Sequence, residues 1–234
     1  MWQGSFDDID TPDDLPGSAG ATGTLTLEIT QRDDLTATQQ KKLVARWCEV
    51  LPTLDYVTRV EFISRVNQQM FEAACLMPKL RELVIKWSGI TDLAPLAELG
   101  ALELFDLGTS GSVRDITPLA ELTSITDLSL EGLSKITDFA VVGELTTLRR
   151  LAICGAIGSV QKVETLAPLA NLTRLEELSL IGTRVLDGTL DPLLSLHELR
   201  RFDSAWYLPD SEFEKVRTLP KLVRGNVITE RRPR

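Results

Sequence analysis

The chain has 234 residues, of which 43% are hydrophobic, and a formal net charge of −9. The hydrophobic fraction is sufficient for a continuous core, whereas the negative charge disfavours a general nucleic-acid-binding protein because phosphates would be repelled. No run approaches the roughly 18 consecutive apolar residues that a membrane span requires, so we expect neither a nucleic-acid nor a membrane partner.

The cysteines and the first residues bear on the cellular location. Cys48, Cys75 and Cys154 are widely spaced and odd in number, which predicts neither a disulfide framework nor a metal site. The chain begins with acidic residues and lacks the basic and apolar regions of a signal peptide. We therefore expect a cytoplasmic protein without a metal or another cofactor.

The first elements along the chain are a tail, a strand and a helix. Residues 1–22 contain five aspartates among Gly, Pro and Ser, which predicts a disordered acidic tail, either a solvated segment or a docking segment. Alternation from Thr24 to Ile29 predicts a strand. Apolar residues at helical spacing from Leu43 to Leu51 predict a helix, and Thr36 with Gln39 resembles a capping box for it.

A repeated pattern occupies most of the remaining chain. The pattern apolar-x-x-apolar-x-x-apolar-x-apolar occurs six times, and the last copy has Ser204 in its fourth apolar position. A repeat of 22 to 27 residues with this pattern is typical of a leucine-rich-repeat solenoid. The third apolar residues of the six copies are Leu83, Phe105, Leu128, Leu151, Leu178 and Phe202.

The sequence therefore predicts an α/β fold. We expect a right-handed leucine-rich-repeat solenoid with a curved parallel β-sheet on its concave side and short helices or 3-10 turns on its convex side. A proline suits the first turn of a helix, so Pro95, Pro118, Pro168 and Pro192 each predict a short convex turn, and Phe139–Val142 takes this place without a proline.

The chain divides into four predicted segments. After the tail, residues 23–56 form an N-terminal cap, which a solenoid needs because its first coil would otherwise expose its apolar side. Residues 57–222 form the solenoid, and 223–234 form the end of the C-terminal cap with a basic tail. We expect a monomer.

The leucine rows and the segments Ile90–Leu96, Ile116–Leu119 and Ile136–Phe139 resemble leucine-rich-repeat proteins of the SDS22-like type, the type also found in bacterial internalins. The resemblance covers about residues 57–222 and implies the fold, but not a function, because this fold hosts many unrelated roles. We expect no secretion signal of the internalin type in the chain. It also lacks the family's asparagine ladder, and at those positions it has Ser88, Ser110, Leu133, Ala156, Thr183 and Tyr207.

The residues between the strand anchors are the candidate binding surface. Successive side chains of a strand point to opposite faces, so these residues line the concave sheet, where we predict that a protein partner binds. The rim residues Trp87 and Trp206 are either binding anchors or covers for the edge of the core. The charged residues predicted to contact the partner are Arg59, Glu61, Glu82, Lys86, Asp106, Asp127, Glu131, Arg150, Glu177, Arg201 and Asp203.

Two features of the last coils have alternative interpretations. The pairs Arg149–Arg150, Glu176–Glu177 and Arg200–Arg201 occupy the same positions of consecutive strands. They predict either a structural charge ladder or an arginine-rich patch for a carboxylate-bearing partner. The longest coil holds its extra residues within 155–162, as a neutral length variant or as a recognition loop.

No nucleophile–base pair is apparent in the sequence. The single histidine, His197, is predicted to lie on the surface, and Cys154 is predicted to be a small filler on the concave face. We therefore predict a non-catalytic protein–protein interaction module. The alternatives are a ligand-sensing or autoinhibitory part of a larger signalling or defence protein, and an effector or enzyme whose chemistry is not visible in the sequence.

Overall fold

The computed structural model of the chain describes residues 5–6, 11–12, 15 and 23–229. Eleven strands occur within these residues. They are β1 (Ser5–Phe6), β2 (Gly23–Leu27), β3 (Val57–Phe62), β4 (Glu82–Trp87), β5 (Leu104–Thr109), β6 (Asp127–Glu131), β7 (Arg150–Cys154), β8 (Gln161–Val163), β9 (Glu177–Leu180), β10 (Thr183–Val185) and β11 (Arg201–Ser204).

Nine of these strands form one sheet in the order β1-β2-β3-β4-β5-β6-β7-β9-β11. Every neighbouring pair is parallel, as expected when each strand belongs to one coil of a solenoid. The short strands β8 and β10 pair in a separate parallel sheet that the sequence did not predict.

The repeat period explains the register of the sheet. Leu83 pairs with Phe105, and Phe105 pairs with Leu128, so equivalent anchors of consecutive coils lie side by side. The anchors are fully or almost fully buried, and the buried apolar residues from Leu25 to Val227 form one continuous cluster. The predicted leucine-rich-repeat solenoid is therefore confirmed.

The convex side carries short turns in place of long helices. The 3-10 helices Ala94–Glu98, Thr117–Glu121, Ala167–Asn171 and Asp191–Ser195 each have proline in the first turn, and Ala140–Glu144 lacks one, as predicted. Each buries one leucine or valine at its third position against the sheet. A further 3-10 helix spans Leu51–Thr53.

The α-helices lie in the first and last coils. Helix α1 (Ala37–Val50) has the predicted capping box between Thr36 and Gln39, and Trp47 is 1% exposed on its inner face. The other helices are α2 (Gln68–Cys75), α3 (Asp210–Val216) and α4 (Asn226–Thr229). No helix in the described parts of the chain is long and apolar enough to cross a membrane.

At the edge of the last strand, β11, a side chain makes the backbone hydrogen bonds that a neighbouring strand would make. The Asn226 amide accepts a hydrogen bond from the Ser204 backbone N–H and donates one to the Ser204 carbonyl, both at 2.9 Å. These bonds satisfy backbone groups that an open sheet edge would leave unpaired. Around them Phe213, Val216 and Val227 are fully buried, so the core continues past the last strand.

The predicted tails lie mainly outside the described residues. Ser5–Phe6 extends the sheet beyond β2, whereas most of the predicted disordered segment 1–22 and the basic end 230–234 are not described.

Candidate functional site

An open groove of about 280 Å³ runs along the concave face across β5, β6, β7, β9 and β11. Its floor contains the short side chains of Ser129, Ala152 and Ser179, which are register neighbours in three consecutive strands. Because these side chains are short, a ligand in the groove can approach the backbone of the sheet.

A row of longer, charged side chains borders this floor. Asp127, Arg150, Glu177 and Arg201 are register neighbours and line the groove together with Asp203. The charged row and the row of short side chains therefore lie side by side. Arg59, Glu61, Glu82, Lys86 and Glu131 belong to the same face but lie outside the groove lining.

The arginines of this surface are paired with carboxylates. Arg150 forms an ion pair with Asp127, although its register also places it beside Glu177. The Arg201 guanidinium lies 2.6 Å from the carboxylate of Asp203 in its own strand. The Glu177 carboxylate is paired with the guanidinium of Arg224 at 3.6 Å. Arg59 pairs with Glu82 and, at 3.6 Å, with Glu61. Such exposed pairs stabilise the fold only weakly, but they neutralise the arginines locally.

One of the two predicted charge rows forms a ladder of ion pairs. The Glu176 carboxylate accepts a hydrogen bond from the Arg149 guanidinium at 2.6 Å. On its other side the same carboxylate lies 3.8 Å from the Arg200 guanidinium. These residues immediately precede Arg150, Glu177 and Arg201. The contacts support the interpretation of this charge pattern as a structural ladder, and not as a patch of free arginines.

Two carboxylates of the same face take part in none of the ion pairs among the described residues. Asp106 is half-buried, and its burial raises the pKa of the carboxyl. A hydrogen bond from Ser129 lowers this pKa, the charges of Glu131 and Glu61 raise it, and the charge of Arg59 lowers it. Glu131 accepts a hydrogen bond from the Thr109 hydroxyl at 3.0 Å. Of the eleven charged residues predicted for the site, seven are acidic and four are basic, so the surface carries an excess of negative charge.

The two tryptophans occupy different environments. Trp87 is half-buried, and the Lys86 ammonium lies 5.0 Å from its ring centroid. Trp206 is also half-buried, and its ring lies 4.7 Å from that of Phe213 with an interplanar angle of 58°. Trp206 therefore packs on the C-terminal cap, consistent with the second of its two predicted roles. Its neighbour Tyr207 is the more exposed residue, at 43%.

The structure reveals an apolar rim that we did not include in the predicted site. Ile157 is fully exposed in the extra loop after β7, and Val160 of the same loop is 41% exposed. Ile181, which follows β9, and Tyr207, which follows β11, are 46% and 43% exposed. A sequence signal was present for Ile181, because alternation with the anchors Leu178 and Leu180 predicts an outward-facing side chain there, although β9 itself ends at Leu180. We call Ile157, Val160, Ile181 and Tyr207 the apolar rim.

The cysteines and His197 do not assemble a catalytic group. The Cys154 sulfur lies 3.5 Å from the Ser179 hydroxyl, and burial raises the pKa of its thiol, which disfavours the reactive thiolate. His197 is exposed, as predicted. All three cysteines are free, and residues 23–229 contain no group of three His, Cys, Asp or Glu side chains that could hold a metal ion.

A larger groove of about 520 Å³ lies on the convex side, between the 3-10 helices Thr117–Glu121 and Ala140–Glu144. Two of the three carboxylates at its border, Asp115 and Asp138, are engaged in the turns themselves. Asp115 accepts the backbone N–H of Thr117, and Asp138 accepts that of Ala140, both at 2.8 Å. These groups stabilise the local backbone, so we regard the concave groove as the better candidate site.

Comparisons with known proteins agree on the fold. No protein-family model matches the chain, and no curated protein matches it in sequence. Internalin C2 of Listeria monocytogenes is structurally similar, with a TM-score of 0.55 and 22% identity over 74% of this chain and 73% of that one. The chain therefore has the leucine-rich-repeat fold, and the finer SDS22-like assignment stays a prediction.

Two further structures are more distant. A leucine-rich-repeat protein of Leptospira interrogans has a TM-score of 0.46 and 16% identity, covering 75% of this chain and 50% of that one. An internalin of Listeria monocytogenes, InlF, has a TM-score of 0.33 and 15% identity, covering 87% and 71% of the two chains.

Proposed function

We propose that the chain is a non-catalytic binding module that holds another protein on its concave sheet. The observation that carries this proposal is the groove across β5 to β11, where short side chains form the floor and charged side chains form the border. A partner segment in this groove can contact the sheet closely at Ser129, Ala152 and Ser179, while Arg150 and Arg201 lie at its edge.

The groove divides the predicted contact residues into two groups. Asp106, Asp127, Glu177 and Asp203 line it and form the centre of the proposed interface, and the exposed Arg150 and Arg201 line its border. The remaining concave residues flank this centre. Charged residues at the rim of an interface mainly set the association rate and its salt dependence, which is the role that we assign to the exposed arginines. The cytoplasmic location stays a prediction.

Photo-crosslinking tests which face binds even when the partner has not been identified. The crosslinking amino acid p-benzoylphenylalanine replaces Arg150 or Arg201 on the concave face, and Glu98 or Ala140 on the convex face. All four positions are exposed, so the substitutions leave the core unchanged. We expect protein adducts from the concave positions alone. Adducts from the convex positions alone would contradict the proposal.

Binding kinetics then test the contribution of the charged border. The double variant Arg150→Glu with Arg201→Glu should change the association rate of the captured partner and the dependence of this rate on salt. The matched control is Arg114→Glu with Lys135→Glu, because both of these exposed residues border the convex groove and the net charge changes equally. A larger effect from the control pair would place the interface on the convex side. Trp206→Ala is a less specific probe, since Trp206 packs on Phe213.

A further inference from the structure

We infer that the partner binds through an extended segment that carries a large apolar side chain close to a lysine or arginine. The apolar side chain would contact the apolar rim, and the cation would reach Asp106 and Glu131. This inference rests on the proposed function and adds the chemistry of the partner to it. It also differs from the carboxylate-bearing partner suggested by the arginine pairs in the sequence.

The part of the apolar rim formed by Ile157, Val160 and Ile181 is held in place by backbone contacts between coils. Gly155 donates a hydrogen bond from its N–H to the Ile181 carbonyl at 2.9 Å, and Gln161 donates one to the Gly182 carbonyl at 3.0 Å. The extra loop that carries Ile157 and Val160 is thus fixed beside Ile181. Exposed apolar side chains that lie beside one another are a feature of interaction sites.

Glycines make this close approach possible. A Cβ atom at Gly155 would collide with the carbonyl oxygens of Ser159 and Gly182. Gly182 itself has a φ of +67°, in the left-handed region that glycine adopts most easily. The fold therefore specifies the position of the loop, although its apolar side chains contribute little to the core.

The rim is continuous with the acidic part of the concave face. Glu131 pairs with Cys154 in the register of the sheet. The Gly132 N–H donates to the Cys154 carbonyl and the Gly155 N–H donates to the Ile181 carbonyl, so Ile181 takes the equivalent place in the next coil. Strands lie about 4.8 Å apart, so Glu131 and Ile181 are separated by roughly 10 Å. An extended peptide covers that distance in about three residues, so one short segment can contact both.

The charge distribution favours a cation in this segment. The arginines of the face already have carboxylate partners, whereas Asp106 and Glu131 take part in no ion pair among the described residues. A partner lysine or arginine would neutralise this excess of negative charge. The net charge of −9 also disfavours a second copy of the chain as the occupant, because two acidic surfaces repel each other.

A selection of phage-displayed random peptides on the full chain tests the inference. We expect the enriched peptides to share a large apolar residue within about three positions of a lysine or arginine. The rim variant Ile157→Ser with Ile181→Ser and the acid variant Asp106→Asn with Glu131→Gln should each weaken the Kd of these peptides about tenfold or more. The control Leu76→Ser with Val223→Ser changes two exposed apolar residues elsewhere and should retain the parental Kd.

The outcomes separate this inference from the proposed function. Peptides that are acidic, that lack an apolar residue, or that bind the rim and acid variants like the parent overturn the inference, as does the absence of any enriched peptide. If peptides that fail these criteria still lose binding to the variant Arg150→Glu with Arg201→Glu, the inference is wrong but the proposed concave interface is supported. Loss of binding only in the variant Arg114→Glu with Lys135→Glu contradicts both the inference and the proposed function. A dimer in light scattering that Ile157→Ser with Ile181→Ser dissociates would identify a second copy as the occupant, against the inference.

Discussion

The hydroxyl oxygens of Ser88 and Ser110 lie 2.6 Å apart in the core, in consecutive coils. The Ile90 backbone N–H donates to Ser88 at 3.2 Å, and Ser110 donates to the Gly108 carbonyl at 2.7 Å. Ser88 is therefore the donor to Ser110, and the four groups form a chain of hydrogen bonds. This chain satisfies buried backbone groups at a place where related repeats are expected to use asparagine.

Removal of one hydroxyl should break this chain. Ser110→Ala removes the acceptor of the buried Ser88 hydroxyl and one of the bonds to the Gly108 carbonyl, which costs about 1–3 kcal/mol of the free energy of unfolding. Chemical denaturation measures this loss. Ser134→Ala is the control at an exposed serine and should have little effect. Equal stability of the two variants would show that the buried chain is unimportant.

Gly108 should tolerate no side chain. A Cβ atom at this position would collide with the backbone carbonyl oxygen of Lys86 in the neighbouring strand. Gly108→Ala must therefore separate β4 from β5, and we expect a loss of about 1–3 kcal/mol and a decrease of several degrees in Tm. At Gly100 no atom lies within 4 Å of an added Cβ, so Gly100→Ala should leave Tm unchanged or slightly raised. A harmless Gly108→Ala would mean that the two strands are less closely packed than described.

The architecture could be predicted from the sequence because the repeat period fixes the register. Leu83, Phe105 and Leu128 become neighbours once each coil is known to have similar length. The small β8–β10 sheet was missed because three-residue strands carry too little alternation to be recognised. The hydrogen bond between Ser88 and Ser110 was also missed. The sequence shows that both serines occupy the asparagine position of the repeat, but it does not show that their hydroxyls meet in the core.

Asp106 should make stability depend on pH. Burial is the largest cause that raises its pKa above the ordinary value of 3.8, so the folded protein holds this proton more tightly than the unfolded chain. The resulting stabilisation is fully present below pH 3.8 and is lost as the pH rises through the higher folded-state pKa. Asp106→Asn should therefore have a higher Tm than the parent at neutral pH, and the gain should disappear in acid.

Thermal unfolding across this pH range measures the effect. Asp33→Asn, at an exposed position, serves as the control for the removal of one charge. A gain that persists unchanged into acid would contradict the assignment to Asp106 ionisation.

The C-terminal cap should be required for solubility. A fragment of residues 1–195 lacks β11 and α3, so the apolar row that includes Leu178 would lose its neighbour Phe202. Because each coil buries its leucines only against its neighbours, we expect this fragment to aggregate in size-exclusion chromatography. A chain that ends at Thr229 retains the described cap and should remain soluble. A folded, monomeric 1–195 fragment would contradict the capping role.

The candidate site was only partly predictable. The sequence placed the charged residues on one face, because alternation and register are properties of the backbone. It did not determine that Arg150 pairs with Asp127 and not with Glu177, since both carboxylates are register neighbours and the side-chain rotamer selects between them. Nor did it determine that Trp206 turns towards Phe213, because a rim residue can face either the cap or the solvent.

Hydrogen–deuterium exchange of the chain, alone and with a bound partner or selected peptide, tests the central claim most directly. We expect new protection in the groove strands β5, β6, β7, β9 and β11 and in the loop that carries Ile157. The convex 3-10 helices, such as Thr117–Glu121 and Ala140–Glu144, should exchange as in the free chain. Protection confined to these convex helices, with the strands and the loop unchanged, would contradict binding on the concave face.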